Sequence, residues 1–204
     1  EITYGDWSSD VCSSDLNLLA CSKPIALSGT VEPEIAWNFG VNATWRFTLW
    51  NQEATLNADL YRTDFQQQLI VDRVTYYDRI LLYNLQGRSF TNSAQLTFNY
   101  LIDSQWEIRI SHKRDAAWQT YSDSFQRRPL IPAFKSLASI SYKTEDEHWQ
   151  FDATAVHNGP QRLLNTYADS EFGSAGTQSP SFFTFNLQVT KVFRWFELYG
   201  EIGR

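Results

Sequence analysis

The sequence predicts an all-β protein that is built as an antiparallel up-and-down meander of about eight strands. Three observations predict this fold: long stretches in which apolar and polar residues alternate, connections that alternate between short and long, and tryptophans beside the short connections. Residues that alternate with a period of two lie on opposite faces of a β-strand. Each predicted strand therefore has one apolar and one polar face.

The longest alternation runs through residues 37–49. Its odd positions are all apolar: Trp37, Phe39, Val41, Ala43, Trp45, Phe47 and Leu49. An ordinary strand has about 5–6 residues, whereas a strand that crosses a membrane has roughly 9–11. This stretch is long enough to cross a membrane, although a long hairpin in a soluble sandwich has the same pattern.

The alternation resumes in the other phase over residues 53–71, which predicts a tight hairpin at 50–52. Strand character returns at Leu82 and is regular over 93–101. The later predicted strands are 105–110, 138–143, 149–155, 183–190 and 195–200. Residues 17–34 contain the breakers Pro24, Gly29 and Pro33 and are predicted to form a loop.

The predicted connections differ in length in a regular way. Those at 50–52, 102–104, 144–147 and 193–194 are short, and those near 72–82, 112–134 and 158–181 are long. In a meander, all the short connections then lie at one end, which is the layout of an outer-membrane barrel. A tryptophan stands beside each short turn: Trp50, Trp106, Trp149 and Trp195. Because indole favours the membrane interface, these features together favour a transmembrane β-barrel over a soluble sandwich.

The two ends of the chain differ from the rest. Residues 1–16 resemble the in-frame translation of a short-read sequencing adapter, and residues 201–204 resemble the start of the opposing adapter. We therefore expect neither end to be native, and we expect residues 17–200 to be a partial outer-membrane barrel domain from a longer gene. Without these ends, 18 acidic and 16 basic residues remain. The sequence has no basic stripe, so it does not predict nucleic-acid binding. Cys21 alone supports neither a disulfide nor a cysteine metal site.

Several segments resemble a known family in their order and spacing. They are LSGTVEPEIAWNFGVN, LYRTDFQQQLIVDR, YNLQGRSFTNSAQLTFNY, RRPLIPAFKSLASISY, GPQRL and SPSFFTFNLQVTKVFRWFELYG. Together they resemble the C-terminal half of the barrel of TonB-dependent outer-membrane receptors, particularly those of Bacteroidetes. The segment from Pro33 to Gly40 is similar to the motif with which a strand of that family begins.

The resemblance implies an active importer in the bacterial outer membrane, with a barrel of about 22 strands and a plugged lumen. It implies outer-membrane lipid, an N-terminal plug, the TonB energy-coupling complex and a scarce nutrient, such as a ferric siderophore or cobalamin, as partners. We expect no cofactor and no enzymatic activity, because a barrel protease or lipase would need clustered Asp and His or Ser and His near one rim, and the histidines of this chain do not share one. This chain would lack the plug, the coupling segment and the last barrel strands. A structural or adhesive barrel, or a porin without active transport, is the alternative.

No catalytic or metal-binding constellation stands out, because His112, His148 and His157 are scattered along the chain. The residues predicted to face the lumen are Asn38, Asn42, Arg46, Thr55, Asn57, Asp59, Glu107 and Arg109. Their charges either pair with one another in a hydrated lining or bind substrate. Candidate ligand-binding residues on the extracellular side are Tyr76, Tyr77, Trp118 and Tyr121. An outer aromatic girdle explains these aromatic residues equally well.

Overall fold

The computed structural model describes residues 24–76, 79–122, 124–163 and 178–203. The described chain contains only β-strands as regular structure, which confirms the predicted all-β class. The strands are β1 (Ile25–Leu27), β2 (Ile35–Leu49), β3 (Gln52–Gln67), β4 (Leu69–Asp72), β5 (Ile80–Asn84), β6 (Ser89–Leu101), β7 (Trp106–Tyr121), β8 (Ser124–Arg127), β9 (Phe134–Lys143), β10 (Trp149–Asn158), β11 (Phe182–Val192) and β12 (Glu197–Gly203). Within these ranges, no helix is long and apolar enough to cross a membrane.

Nine of the strands form one large antiparallel sheet. Its order is β12-β11-β10-β9-β7-β6-β3-β2, and β8 pairs with the end of β7. Strands that follow one another along this path are neighbours in the sheet, and β4, β5 and β8 lie in the connections. The predicted meander of about eight strands is therefore confirmed.

The hairpin between β2 and β3 sets the phase of the sheet. Leu49 pairs with Gln52, so the loop contains only Trp50 and Asn51. Both have positive φ angles, 48° and 69°, as a type I′ turn requires. Because the loop has two residues, odd positions of β2 face even positions of β3, as in the pair Trp45 and Leu56. The change of phase in the sequence therefore keeps the apolar residues on one face.

A second, smaller sheet corrects three expectations. Strand β3 ends at Gln67 instead of continuing to Val71, and residues 69–72 form β4, which pairs with β5. Leu82 belongs to β5 and not to the start of β6. Part of the predicted 17–34 loop forms β1, which runs parallel to β5. The side chains of Ile70 and Ile80 are fully buried in this sheet. The local alternation of residues does not reveal this burial, because it depends on strands that are distant along the chain.

Further strand boundaries differ from the expectation, most clearly those of β7 and of the last strand. Strand β7 continues to Tyr121, because its outer part pairs with both β6 and β8. The last strand spans Glu197–Gly203, and residues 201–203 pair with residues 186–188 of β11. A backbone ladder accepts any residue that keeps its N–H, so the pairing continues through these residues regardless of their side chains. Residues 1–16 and Cys21 lie outside the described residues.

Candidate functional site

The large sheet has an apolar face that carries the odd positions of β2 and the residues paired with them. Large side chains on this face are exposed on almost every strand: Trp37, Phe39, Val41, Trp45, Leu60, Leu96, Ile110, Ile140, Phe151, Phe183, Phe185, Leu187, Leu198 and Ile202. No second sheet covers these side chains in the described part of the chain. A soluble monomer rarely exposes a contiguous apolar patch of more than a few hundred Å², so this face requires an apolar partner.

The opposite, polar face carries a ladder of hydrogen bonds between neighbouring strands. The Thr44 hydroxyl donates to Asn57 Oδ1 at 2.8 Å, and Asn42 donates to Asp59. Farther along the sheet, Ser141 donates to Asp152 Oδ1 at 2.6 Å. Short polar side chains that lie opposite one another on neighbouring strands can pair in this way. Polar side chains of this face are thus paired with one another across neighbouring strands.

All eight residues that the sequence predicted to face a lumen lie on this polar face. Arg109 donates from Nε to Asn99 Oδ1 at 2.7 Å and lies 3.4 Å from Glu107 Oε1. Arg109 and Glu107 therefore lie within ion-pair distance of each other on this face. Tyr61 also lies on the polar face, where its ring covers Gly40; a Cβ atom at Gly40 would be 2.3 Å from the ring.

Aromatic side chains gather at the short-turn end, defined by the connections at 50–51, 102–105, 144–148 and 193–196. All four tryptophans of these turns are exposed, Trp50 by 82% and Trp195 by 85%. Trp106 packs on Tyr142 with ring centroids 4.5 Å apart, and Tyr142 stacks on Phe151 at 6.2 Å. The ammonium of Lys191 lies 4.6 Å from the centroid of the Trp149 ring. Amphipathic rings and cations therefore border this end of the apolar face.

Two of the turns at this end are fixed by their own polar side chains. Asp103 accepts hydrogen bonds from the backbone N–H groups of Gln105 and Trp106 at 2.7 and 2.8 Å. In the next short turn, hydrogen bonds from Thr144 and from the backbone of His148 hold the pKa of Asp146 below its usual range. These local bonds satisfy backbone donors that no strand partner reaches.

The opposite, long-connection end contains the aromatic ligand candidates, which the structure does not bring onto one surface. Trp118 lies on the apolar side of β7 and stacks on Phe125 at 5.5 Å. Tyr121 has the opposite parity on the same strand and is buried. Tyr76 is exposed in the connection after β4, with the guanidinium of Arg79 near its ring. Tyr77 lies outside the described residues.

The small sheet at this end has a buried carboxylate whose oxygens are fully engaged. Asp72 accepts from the backbone N–H groups of Val74 and Thr75 at 2.9 Å and from the Thr75 hydroxyl at 2.6 Å. The Tyr83 hydroxyl also donates to Asp72 and accepts from the Ser122 N–H at 2.9 Å. Burial, with the nearby Asp72 charge, raises the pKa of the Tyr83 phenol. This network ties the connection between β3 and β6 to the end of β7.

Sequence reasoning missed three charged residues on the apolar face near this end. Arg62 and Asp64 continue the phase of Leu60 on β3, and Arg114 continues the phase of Ile110 on β7. The parity of Arg62 and Asp64 was readable within the predicted strand at 53–71, whereas that of Arg114 required the predicted strand at 105–110 to be extended. Both arginines line an open cavity of about 430 Å³ together with Phe39, Val41 and Leu60.

The described residues contain no group of three or more side chains suited to hold a metal ion. His112 lies on the apolar side of β7 and His157 on that of β10, on either side of Phe134. His157 stacks on Phe183 with ring centroids 4.1 Å apart. No protein-family model matches the chain, and no curated protein matches it either.

Proposed function

We propose that this chain is part of the transmembrane barrel of a TonB-dependent outer-membrane receptor that imports a scarce nutrient. The observation that carries the proposal is the exposed apolar face, which extends across eight antiparallel strands while the opposite face is polar and internally hydrogen-bonded. Strands of a membrane barrel alternate in this way because one side contacts hydrocarbon and the other contacts a hydrated interior. The family resemblance described above adds the receptor function to this physical argument.

The segregated ends support the same proposal. The short turns and their exposed aromatic residues form the periplasmic rim, and the long connections with the small sheet form the extracellular side. Aromatic side chains and cations settle at the level of the lipid headgroups, because one part of each is apolar and another part is polar. The polar face then lines the lumen and contacts an N-terminal plug, which lies beyond this chain.

The open edges support a larger barrel. Eight strands are enough to close a small barrel, yet β2 pairs only with β3 and β12 only with β11 in the described residues. Each unpaired backbone group costs several kcal/mol in lipid, so these edges need further strands. A barrel of about 22 strands supplies them. The nutrient passes through such a barrel unchanged, so the proposal assigns transport and no catalysis.

Uptake by the full-length gene product tests the function. We expect bacteria that carry the gene to accumulate a radiolabelled ferric siderophore or cobalamin and to lose this uptake when a protonophore collapses the inner-membrane potential. Uptake that persists after the protonophore would indicate a porin. Correct insertion without protonophore-sensitive uptake of any nutrient in a panel that includes both probes would indicate a structural or adhesive barrel.

The chain alone provides a second test. Because its two open edges have no partners in lipid, we expect residues 1–204 expressed alone to give no functional transporter. The measurement is electrophoresis in detergent with and without heating, since folded barrels migrate differently from unfolded ones. A folded, heat-resistant monomer of this chain would contradict the proposal of a larger barrel.

A further inference from the structure

Two arginines lie on a face that is otherwise apolar. On the β3–β6 pairing, Arg62 faces Asn92, and on the β6–β7 pairing, Arg114 faces Ala94. The cavity of about 430 Å³ between them is bordered by Phe39, Val41 and Leu60. Its volume falls within the range of about 300–1,000 Å³ that is usual for small-molecule sites. A cavity that joins guanidinium groups to an apolar wall fits a ligand with an anionic head and an apolar body.

Arg62 is held in place by its neighbours. Its Nε and Nη2 donate to Asp64 Oδ2 at 3.2 and 2.9 Å, and its Nη1 donates to Asn92 Oδ1 at 3.2 Å. The guanidinium carbon lies 4.4 Å from the centroid of the Phe90 ring. These contacts fix the orientation of Arg62, and Asp64 offsets its charge. Arg62 is therefore a positioned donor on one side of the cavity.

Arg114 supplies the charge that is not offset. It is exposed, and within the described residues it forms neither an ion pair nor a side-chain hydrogen bond. The carboxylate of Asp64 is offset by Arg62, and Asp115 lies on the opposite face, where it pairs with Lys113 at 3.5 Å. The cavity therefore has a net positive charge. Guanidinium groups bind phosphate oxygens through paired hydrogen bonds.

The height of the two arginines in the sheet selects the ligand, and this step rests on the proposed membrane barrel. Arg62 follows Asn51 by eleven residues, which is about 28 Å along the membrane normal for a strand tilted by about 40°. Arg114 follows Gln105 by nine residues, which is about 23 Å by the same geometry. The apolar band of such a barrel is about 25 Å tall. Arg62 thus reaches the outer headgroup level, where lipid phosphates lie, and Arg114 lies just below that level, from which its long side chain extends toward the headgroups.

We propose that Arg62 and Arg114 bind the phosphate of an anionic membrane lipid, whose acyl chains lie along Phe39, Val41 and Leu60. A free phosphate ion would gain nothing from the apolar wall. A charged arginine on a lipid-facing surface is costly unless it reaches the interface or a counter-ion. The lipid phosphate provides that counter-ion, so the site would orient an anionic lipid against the outer edge of the barrel.

Native mass spectrometry of the full-length protein in a mild detergent tests this site with dioleoylphosphatidylglycerol as the probe. We expect the double variant R62Q/R114Q to bind this lipid at least tenfold more weakly than the wild type. R114Q alone should retain the fold, because within the described residues Arg114 has no ion pair or side-chain hydrogen bond to lose, and it should weaken binding severalfold. The matched control is K113Q, which removes a neighbouring charge from the opposite face and should leave lipid binding unchanged.

The comparison of probes identifies the source of the phosphate. Inorganic phosphate should not displace the bound lipid, and dioleoylglycerol, which lacks the phosphate, should bind equally weakly to the wild type and to R62Q/R114Q. Displacement by inorganic phosphate would overturn the proposal in favour of a free anion. Equal phosphatidylglycerol binding by the wild type and the double variant would overturn it outright.

Insertion is measured separately for each variant by its heat-dependent migration after reconstitution into phosphatidylcholine vesicles. If the wild type does not insert, the membrane-barrel function fails, and the lipid site fails with it. If it inserts but its lipid affinity does not depend on Arg62 or Arg114, only the lipid site fails. The two proposals are therefore distinguished by the same set of samples.

Discussion

Leu56 and Asn57 are adjacent on β3 and differ mainly in the face on which they lie. Leu56 pairs with Trp45 on one side and Phe98 on the other, all on the apolar face. Asn57 pairs with Thr44 and Thr97 on the polar face. Both side chains are half-buried. An arginine introduced at each position therefore compares the two faces at the same height and with similar exposure.

The height of Leu56 determines the expected magnitude. It follows Asn51 by five residues, which corresponds to about 13 Å along the membrane normal for a tilted strand. This is the middle of an apolar band about 25 Å tall, where an arginine on the lipid face costs roughly 2–4 kcal/mol. Asn57→Arg loses the 2.8 Å hydrogen bond from Thr44, which is worth only about 0.5–1.5 kcal/mol. We therefore expect Leu56→Arg to be the more destabilising substitution.

The assay is reversible urea unfolding of the full-length protein in lipid vesicles, with the unfolding free energy as the readout. Leu56→Ala serves as the control for the loss of leucine contacts without an added charge. Equal losses for Leu56→Arg and Asn57→Arg, or a larger loss for Asn57→Arg, would refute the assignment of the two faces. The sheet would then have to be oriented differently, and the apolar face would need another partner.

Three further predictions concern the polar face, the small sheet and the short-turn end. Gly40→Ala should destabilise the wild type because it displaces the Tyr61 ring. In a Tyr61→Ala background the same substitution should stabilise the protein by about 0.5–1 kcal/mol, because alanine is less flexible than glycine. A double-mutant cycle of unfolding free energies measures both effects. The pKa of the Tyr83 phenol is raised above its ordinary value of 10.0, so this group stabilises the small sheet at pH values below 10.0. The contribution is lost as the pH rises through the higher pKa of the folded state. Tyr83→Phe should remove that pH dependence from proteolysis of the 68–88 connection, and an unchanged pH profile would contradict it. Lipids brominated near the headgroup should quench Trp50 more strongly than lipids brominated at the chain ends, whereas the reverse order would exclude an interfacial position.

Much of the large sheet could be predicted because strand alternation is a local property. Successive side chains point to opposite faces whatever the partner strand is. The odd positions of residues 37–49 therefore identified the apolar face before any pairing was known. The same alternation placed Asp59 and Arg109 on the polar face. The short turns were also readable, since Asp103 and Thr144 form their hydrogen bonds with residues close in sequence.

The small sheet and the arginine cavity required the tertiary structure, because both depend on partners that are distant along the chain. Strand β1 pairs with β5 across more than fifty residues, and nothing in the local pattern of residues 25–27 specifies that partner. Arg62 and Arg114 lie on strands separated by β6 and come together only through the register of two pairings. Local alternation assigned the residues of the large sheet to one face or the other. Long-range pairing decided which of those side chains became neighbours.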